Sequence, residues 1–162
     1  MKRIIYAVIV TAALAACSDP VQKDLINYYN TELPKINQLE DDAMAAYEGI
    51  AGDNYQNDSV MYAVLKDTVI PKYSEFYDGL QAIKPATPDV QKMHGEYIEA
   101  AKDQLEAFKL IIEAIDKQDE EVIKVANGDF EKAKIALDEW KAEFDEIRKK
   151  HNVVMDGEVE TK

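Results

Sequence analysis

Glu120-Glu121-Val122-Ile123-Lys124-Val125-Ala126-Asn127-Gly128-Asp129-Phe130, continued by Ala133, Leu137, Trp140, Phe144 and Ile147, sets the fold class. The apolar residues Ile123, Ala126, Phe130, Ala133, Leu137, Trp140, Phe144 and Ile147 recur at steps of three and four. That spacing puts them on one face of a helix. Asp119 stands ahead of the run as an N-cap. Asn127-Gly128 interrupts the propensity but not the pattern, so both a local bulge and an early break stay open there.

Three more stripes precede this one. Val90, Met93 or His94, Tyr97, Ala101, Leu105, Phe108, Ile112 and Ile115 form the third, opened by Thr87 as cap, Pro88 in the first turn and Asp89 near the dipole's positive end. Lys117, Gln118 and Asp119 are the reversal between the two. Lys84-Pro85-Ala86-Thr87-Pro88 is the clearest break in the chain, because Pro85 disfavours helical geometry at Lys84. Before it, Tyr62, Leu65, Val69, Tyr73, Phe76, Leu80 and Ile83 make the second stripe, capped by Asp58 or Ser59. Leu25, Tyr29, Leu33, Ile36, Leu39, Ala43, Tyr47 and Ile50 make the first, capped by Ser18 or Asp19 with Pro20 in its first turn. Gly52 to Asn57 reads as a loop.

Each of the first two stripes runs across a proline, Pro34 and Pro71, in the similar sequences Asn30-Thr31-Glu32-Leu33-Pro34-Lys35-Ile36 and Asp67-Thr68-Val69-Ile70-Pro71-Lys72-Tyr73. Unbroken stripes predict kinks rather than stops. Four stripes with short connections and no period-two run predict an all-α chain, an antiparallel up-down-up-down four-helix bundle over residues 17–151. Helices of about 27 to 32 residues make a rod roughly 40 to 48 Å long. The tail 152–162 has no sustained period and is expected to be disordered.

The amino-terminal residues have another character. Lys2 and Arg3 precede an uncharged run from Ile4 to Ala16, the layout of a secretory signal peptide and too short for a bilayer span of about 20 residues. The run ends at Leu14-Ala15-Ala16-Cys17, and Cys17 is the one cysteine among 162 residues. An apolar residue, two small residues and a cysteine resemble the bacterial lipoprotein signal. That resemblance implies a diacylglyceryl thioether on Cys17, cleavage of residues 1–16 and acylation, for example with palmitate, of the new amino terminus. It implies a place in the cell envelope, on the outer face of the cytoplasmic membrane or at the outer membrane where one exists. Two acyl chains give stable attachment where one is marginal.

Composition narrows the partners. The chain carries 19 basic and 32 acidic residues, a formal charge of −13. Loss of residues 1–16 removes Lys2 and Arg3 and no acid, which leaves 17 against 32, or −15. Such a surface is unsuited to nucleic acid or to docking on anionic lipid. It favours a basic protein or peptide by steering encounter.

Chemistry-bearing motifs are sparse. His94 and His151 belong to no Glu-x-x-His or His-x-x-x-His pair. Asp53-Asn54-Tyr55-Gln56-Asn57-Asp58 has oxygens but lacks the Gly and closing Glu of a calcium loop. Acid runs such as Glu40-Asp41-Asp42 read as solvated faces. No metal, no cofactor and no catalytic residue is assigned, and the chain is expected not to be an enzyme. Tyrosine is unevenly placed in the chain expected after cleavage, with Tyr28, Tyr29, Tyr47, Tyr55, Tyr62, Tyr73 and Tyr77 before Pro85 and Tyr97 after it. Tyr28, Tyr55 and Tyr77 lie off the stripes or in the loop, and are the candidate partner-binding residues. The expectation is a lipid-anchored, non-enzymatic interaction module of accessory, immunity or exclusion type. The alternative is a helical carrier holding a small ligand or metal between its helices, with His94 and nearby acids as polar groups.

Overall fold

The computed structural model describes residues 9–10 and 19–155, and the chain there is all-helical apart from one short pairing. The helices are α1 (Pro20–Asn27), α2 (Asn37–Glu48), α3 (Asp58–Val64), α4 (Ile70–Ala82), α5 (Pro88–Lys117) and α6 (Glu120–Lys150). Two-residue strands, β1 (Ile9–Val10) and β2 (Val154–Met155), pair antiparallel. Leu14 to Cys17, and with them the lipidation expectation, lie outside the described residues.

Side-chain caps open three of the six helices. The Asp19 carboxylate accepts from the Val21 and Gln22 amides at 2.9 and 3.3 Å, with Pro20 in the first turn. Asn57, rather than Asp58 or Ser59, caps α3 by accepting from the Val60 amide at 3.0 Å. Asp119 caps α6 through the Glu121 amide at 2.9 Å. Thr87 occupies the cap position of α5 but makes no capping bond, because its hydroxyl donates to Asp24 at 2.6 Å. The reversal between α5 and α6 turns on Gln118, whose φ of 54° is left-handed.

Both prolines are accommodated by the same device. A wide π-turn covers Tyr28–Glu32 and ends two residues before Pro34; a second covers Leu65–Val69 and ends two residues before Pro71. A proline lacks the N–H for the upstream carbonyl and its ring crowds that carbonyl. A five-residue turn moves the carbonyl to another donor and opens room for the ring. After Pro34 a tight turn, Leu33–Lys35, and the single residue Ile36 (φ −119°) precede α2, whereas helical geometry runs straight into α4 at Pro71. Neither proline ends its arm, and α6 continues through Asn127-Gly128.

Each π-turn inserts one residue into its arm. Tyr28 and Tyr29 are both buried, and beyond the first π-turn Leu33, Ile36, Ala43 and Ile50 are buried as the stripe predicts, with Asn37 and Glu40 of α2 buried beside them and Leu39 only half-buried. On the second arm Met61 is buried and Tyr62 half-buried. The fourth stripe keeps its expected phase, since Ala126, Ala133, Trp140, Phe144 and Ile147 are buried.

Helices α5 and α6 form an antiparallel hairpin packed along its length. Tyr97 stacks on Trp140, Phe108 meets Phe130, Lys92 bridges to Glu143 and Lys150 to Asp89. Met93, Ala100, Ala107 and Ala114 recur every seven residues on α5, as do Ala126, Ala133, Trp140 and Ile147 on α6, and all are buried. A seven-residue repeat keeps one seam facing one neighbour, and alanines let two backbones approach closely. Helices α2 and α4 pack together and α4 packs on α5. Gly79 marks a close approach, because a Cβ there would stand 2.6 Å from Cγ2 of Ile36.

The two ends of the body differ. At one, His151 Nδ1 lies 2.6 Å from the Asp19 carboxylate, and Gln22 Nε2 donates to the carbonyls of His151 and Asn152 at 3.0 and 3.2 Å. There too Asp24 accepts from the amides of Ala86 and Thr87 at 3.0 and 2.7 Å, tying α1 to the break between α4 and α5. Of the tail expected to be disordered, residues 156–162 lie outside the described residues. Val153 is 3 % exposed, its amide donating to the Arg148 carbonyl at 2.7 Å. The opposite end carries the 52–57 loop and the Gln118 reversal. Tyr47, in the last turn of α2, packs on Phe108 and Phe130, and the chain beyond that level leads to both.

Candidate functional site

The three tyrosines named from sequence do not form one surface. Tyr28 is 1 % exposed and belongs to the core, a correction whose cause is the extra residue of the π-turn that begins with it. Tyr77 is half-buried on α4 and packs on the core. Tyr55 is 49 % exposed in the loop before α3, its hydroxyl donating to Asp58 at 2.7 Å. At the same end Val125, in the second turn of α6, is 55 % exposed. Asp53, Asp58, Asp116, Asp119, Glu120 and Glu121 belong to the loop and the reversal at this end, all of them exposed. The nearby cations are engaged with acids, Lys117 with Glu113 and Lys124 with Glu121. That end therefore presents exposed apolar side chains in a segment rich in negative charge.

A second constellation, missed from sequence, lies inside. His94, Tyr97 and Gln104 occupy one buried face of α5 and each meets a polar group from another arm. The Tyr28 hydroxyl and His94 Nδ1 are 3.1 Å apart, the Tyr97 hydroxyl donates to Glu40 Oε2 at 2.8 Å, and the Tyr73 hydroxyl donates to Gln104 Oε1 at 3.2 Å. Gln104 Nε2 also contacts the Met44 sulfur. The amide of Asn37 on both atoms, Nε1 of Trp140 and Nε2 of His94 have no hydrogen-bond partner among the described residues. Buried polar atoms of this kind are few in folded proteins.

Burial governs the ionisation of this interior. It pushes the Glu40 carboxyl up to about 7, against the Tyr97 bond that favours the charged form; Asp41 adds to the rise and Lys141 opposes it. Burial lowers the His94 imidazole, and the carbonyls of Ile83 and Leu80 oppose this without reaching hydrogen-bond geometry on Nε2. Burial also raises Tyr28 and Tyr73, with Glu40 adding to both. Burial thus shifts each of these groups toward its neutral form.

Sequence offered one clue to this site, the position of His94 beside the third stripe. Glu40 gave none, since an acid inside Glu40-Asp41-Asp42 has the pattern of a solvated face. Among the described residues no cluster of three His, Cys, Asp or Glu is arranged to hold a metal, and no helix is long and apolar enough to cross a membrane. A polar cleft of about 160 Å³ lies between α1 and the Pro85 break, lined by Asp24, Asn27, Glu32 and Lys84 among others. No family model, no curated protein and no solved structure matches the chain.

Proposed function

We propose that the chain is a bacterial lipoprotein, held by lipid on Cys17 to the outer face of the cytoplasmic membrane, or to the outer membrane where one exists. Its body is a non-enzymatic interaction module, an up-down-up-down antiparallel four-helix bundle, that presents its far end to a basic protein or peptide. The observation that carries this reading is Tyr55, 49 % exposed among acids at the end remote from Asp19. Asp19 caps the first helix two residues after Cys17, so a lipid there leaves almost no tether and turns the Asp19–His151 end to the bilayer. An apolar centre with a charged rim is the layout of a protein-binding patch, and the negative charge steers a basic partner toward it. A photo-crosslinking residue at position 55 in living cells tests the idea. A discrete crosslinked partner is expected at 55 and none with the same residue at half-buried position 77. Absence of any adduct at 55, or equal adducts at both, counts against it.

A second reading, a carrier for a small polar ligand, rests on the unpartnered atoms of Asn37, Trp140 and His94 in the interior. Native mass spectrometry of the purified protein separates the two. A stoichiometric small molecule, lost in the Asn37→Leu variant, supports the carrier; the bare chain mass supports the interaction module.

A further inference from the structure

Glu40 has no part in the anchor or in the far end, and the core surrounds it unlike any other acid among the described residues. It is 7 % exposed on α2, with its carboxylate accepting from the Tyr97 hydroxyl of α5. Its electrostatic neighbours come from every arm: Asp41 on α2, Tyr28 in the turn after α1, Tyr73 on α4, Tyr97 on α5 and Lys141 on α6. His94 joins this cluster through Tyr28. Two of the phenols are turned to other acceptors, Tyr28 toward His94 and Tyr73 toward Gln104. The cation is at the surface, since Lys141 has half its side chain exposed and bridges to Asp138. Asn37, one turn earlier on the same face of α2, has both amide atoms unpartnered. A charged carboxylate in such a place is short of donors, while a neutral carboxyl brings its own.

We propose that Glu40 is a proton-operated latch. Uncharged, it stays seated beneath Tyr97 and holds α2 on the α5–α6 hairpin. On release of its proton to solvent it swings toward Lys141 and loosens α2. The latch holds whether or not Cys17 carries lipid, so its failure and the failure of the anchor are separate results.

Burial raises Glu40 from 4.5 to about 7, which supports the same direction. The contribution of a carboxyl raised in the folded state is fully present below its unfolded value. It is lost as pH climbs through the folded one. Stability from Glu40 therefore falls between about pH 4.5 and about pH 7. His94 acts with the opposite sign, because a histidine lowered by burial takes stability away as pH drops below 6.5. The two oppose each other in part of the range, and a difference between variants isolates Glu40.

Trp140 reports on the latch, being the one tryptophan in the chain and stacked on Tyr97 at 4.5 Å. In the full-length processed protein, purified in detergent, its emission is expected to follow a one-proton transition near neutrality that Glu40→Gln abolishes. The unfolding constant of the native protein, relative to Glu40→Gln, is expected to rise about tenfold per pH unit between about pH 5 and about pH 7. Tyr97→Phe removes the bond that favours the charged form and shifts the midpoint upward. A flat wild-type profile overturns the proposal, as does the same transition in Glu40→Gln. If Glu40→Gln does not fold, the Tyr97→Phe titration decides: an upward shift supports the latch and an unmoved midpoint overturns it.

Discussion

The hydroxyl of Tyr28 lies 3.1 Å from His94 Nδ1 inside the core, whereas that of Tyr55 meets Asp58 in solvent. The same chemical change at the two positions has different consequences. Tyr28→Phe leaves a buried ring nitrogen unpartnered and is expected to destabilise the fold by about 1–3 kcal/mol, while Tyr55→Phe stays within about 0.5 kcal/mol. Denaturant unfolding of both variants measures the contrast. Two glycines give a second pair. Gly79→Ala sets a methyl 2.6 Å from the β-branched Ile36, and a net loss of stability on the order of 1 kcal/mol is expected, overpacking outweighing the gain in helix propensity. Gly128→Ala meets nothing within 4 Å in an exposed helical position and is expected to gain about 1 kcal/mol. Thermal melts that ranked the two variants the other way would refute the close approach of α2 and α4.

At the scale of elements, the buried alanines of α5 and α6 define how near those helices lie. Ala107 is fully buried, and Ala107→Leu is expected to force the pair apart at a cost of about 1–3 kcal/mol, without loss of helical circular dichroism. Val125→Ala, on the exposed side of α6, is expected to change stability by less than about 0.5 kcal/mol. The α6 stripe was legible in the sequence because an uninterrupted helix keeps a constant phase over its 31 residues, and the side chains that mark it are large and apolar. The first arm was legible only in outline. Its apolar spacing survived, but the π-turn at Tyr28–Glu32 added a residue and Tyr28 lies inside beside Tyr29, while on α2 Glu40 rather than Leu39 is the inward position. A wide turn leaves no mark in composition. The repeated Thr-x-x-Pro-Lys pattern around Pro34 and Pro71 was the one available sign that the two arms share a device. Glu40 could not be read from its neighbours, since burial of one acid in a run of three depends on helix phase alone. Tyr55 was legible for a simpler reason, its place between turn residues in a polar loop.

The whole molecule carries its function, on this account, by having two unlike ends. One is closed by Asp19, His151, Asp24 and Thr87 and begins where the lipid would be; the other is acidic and bears Tyr55 and Val125. With Cys17 in lipid the formal charge of −15 repels an anionic bilayer, so attachment depends on the acyl chains alone. High salt is accordingly expected to leave the protein in the membrane fraction while weakening capture of a basic partner at position 55. Detergent is expected to release it. The most direct measurement is the intact mass of the detergent-extracted protein, followed by fragmentation of its amino-terminal peptide. The account predicts a chain that begins at Cys17 and carries diacylglycerol on the thiol, and a Cys17→Ser variant that loses both the lipid and the membrane. A mature amino terminus at any other residue, or a Cys17 found unmodified in membrane-bound protein, would contradict it.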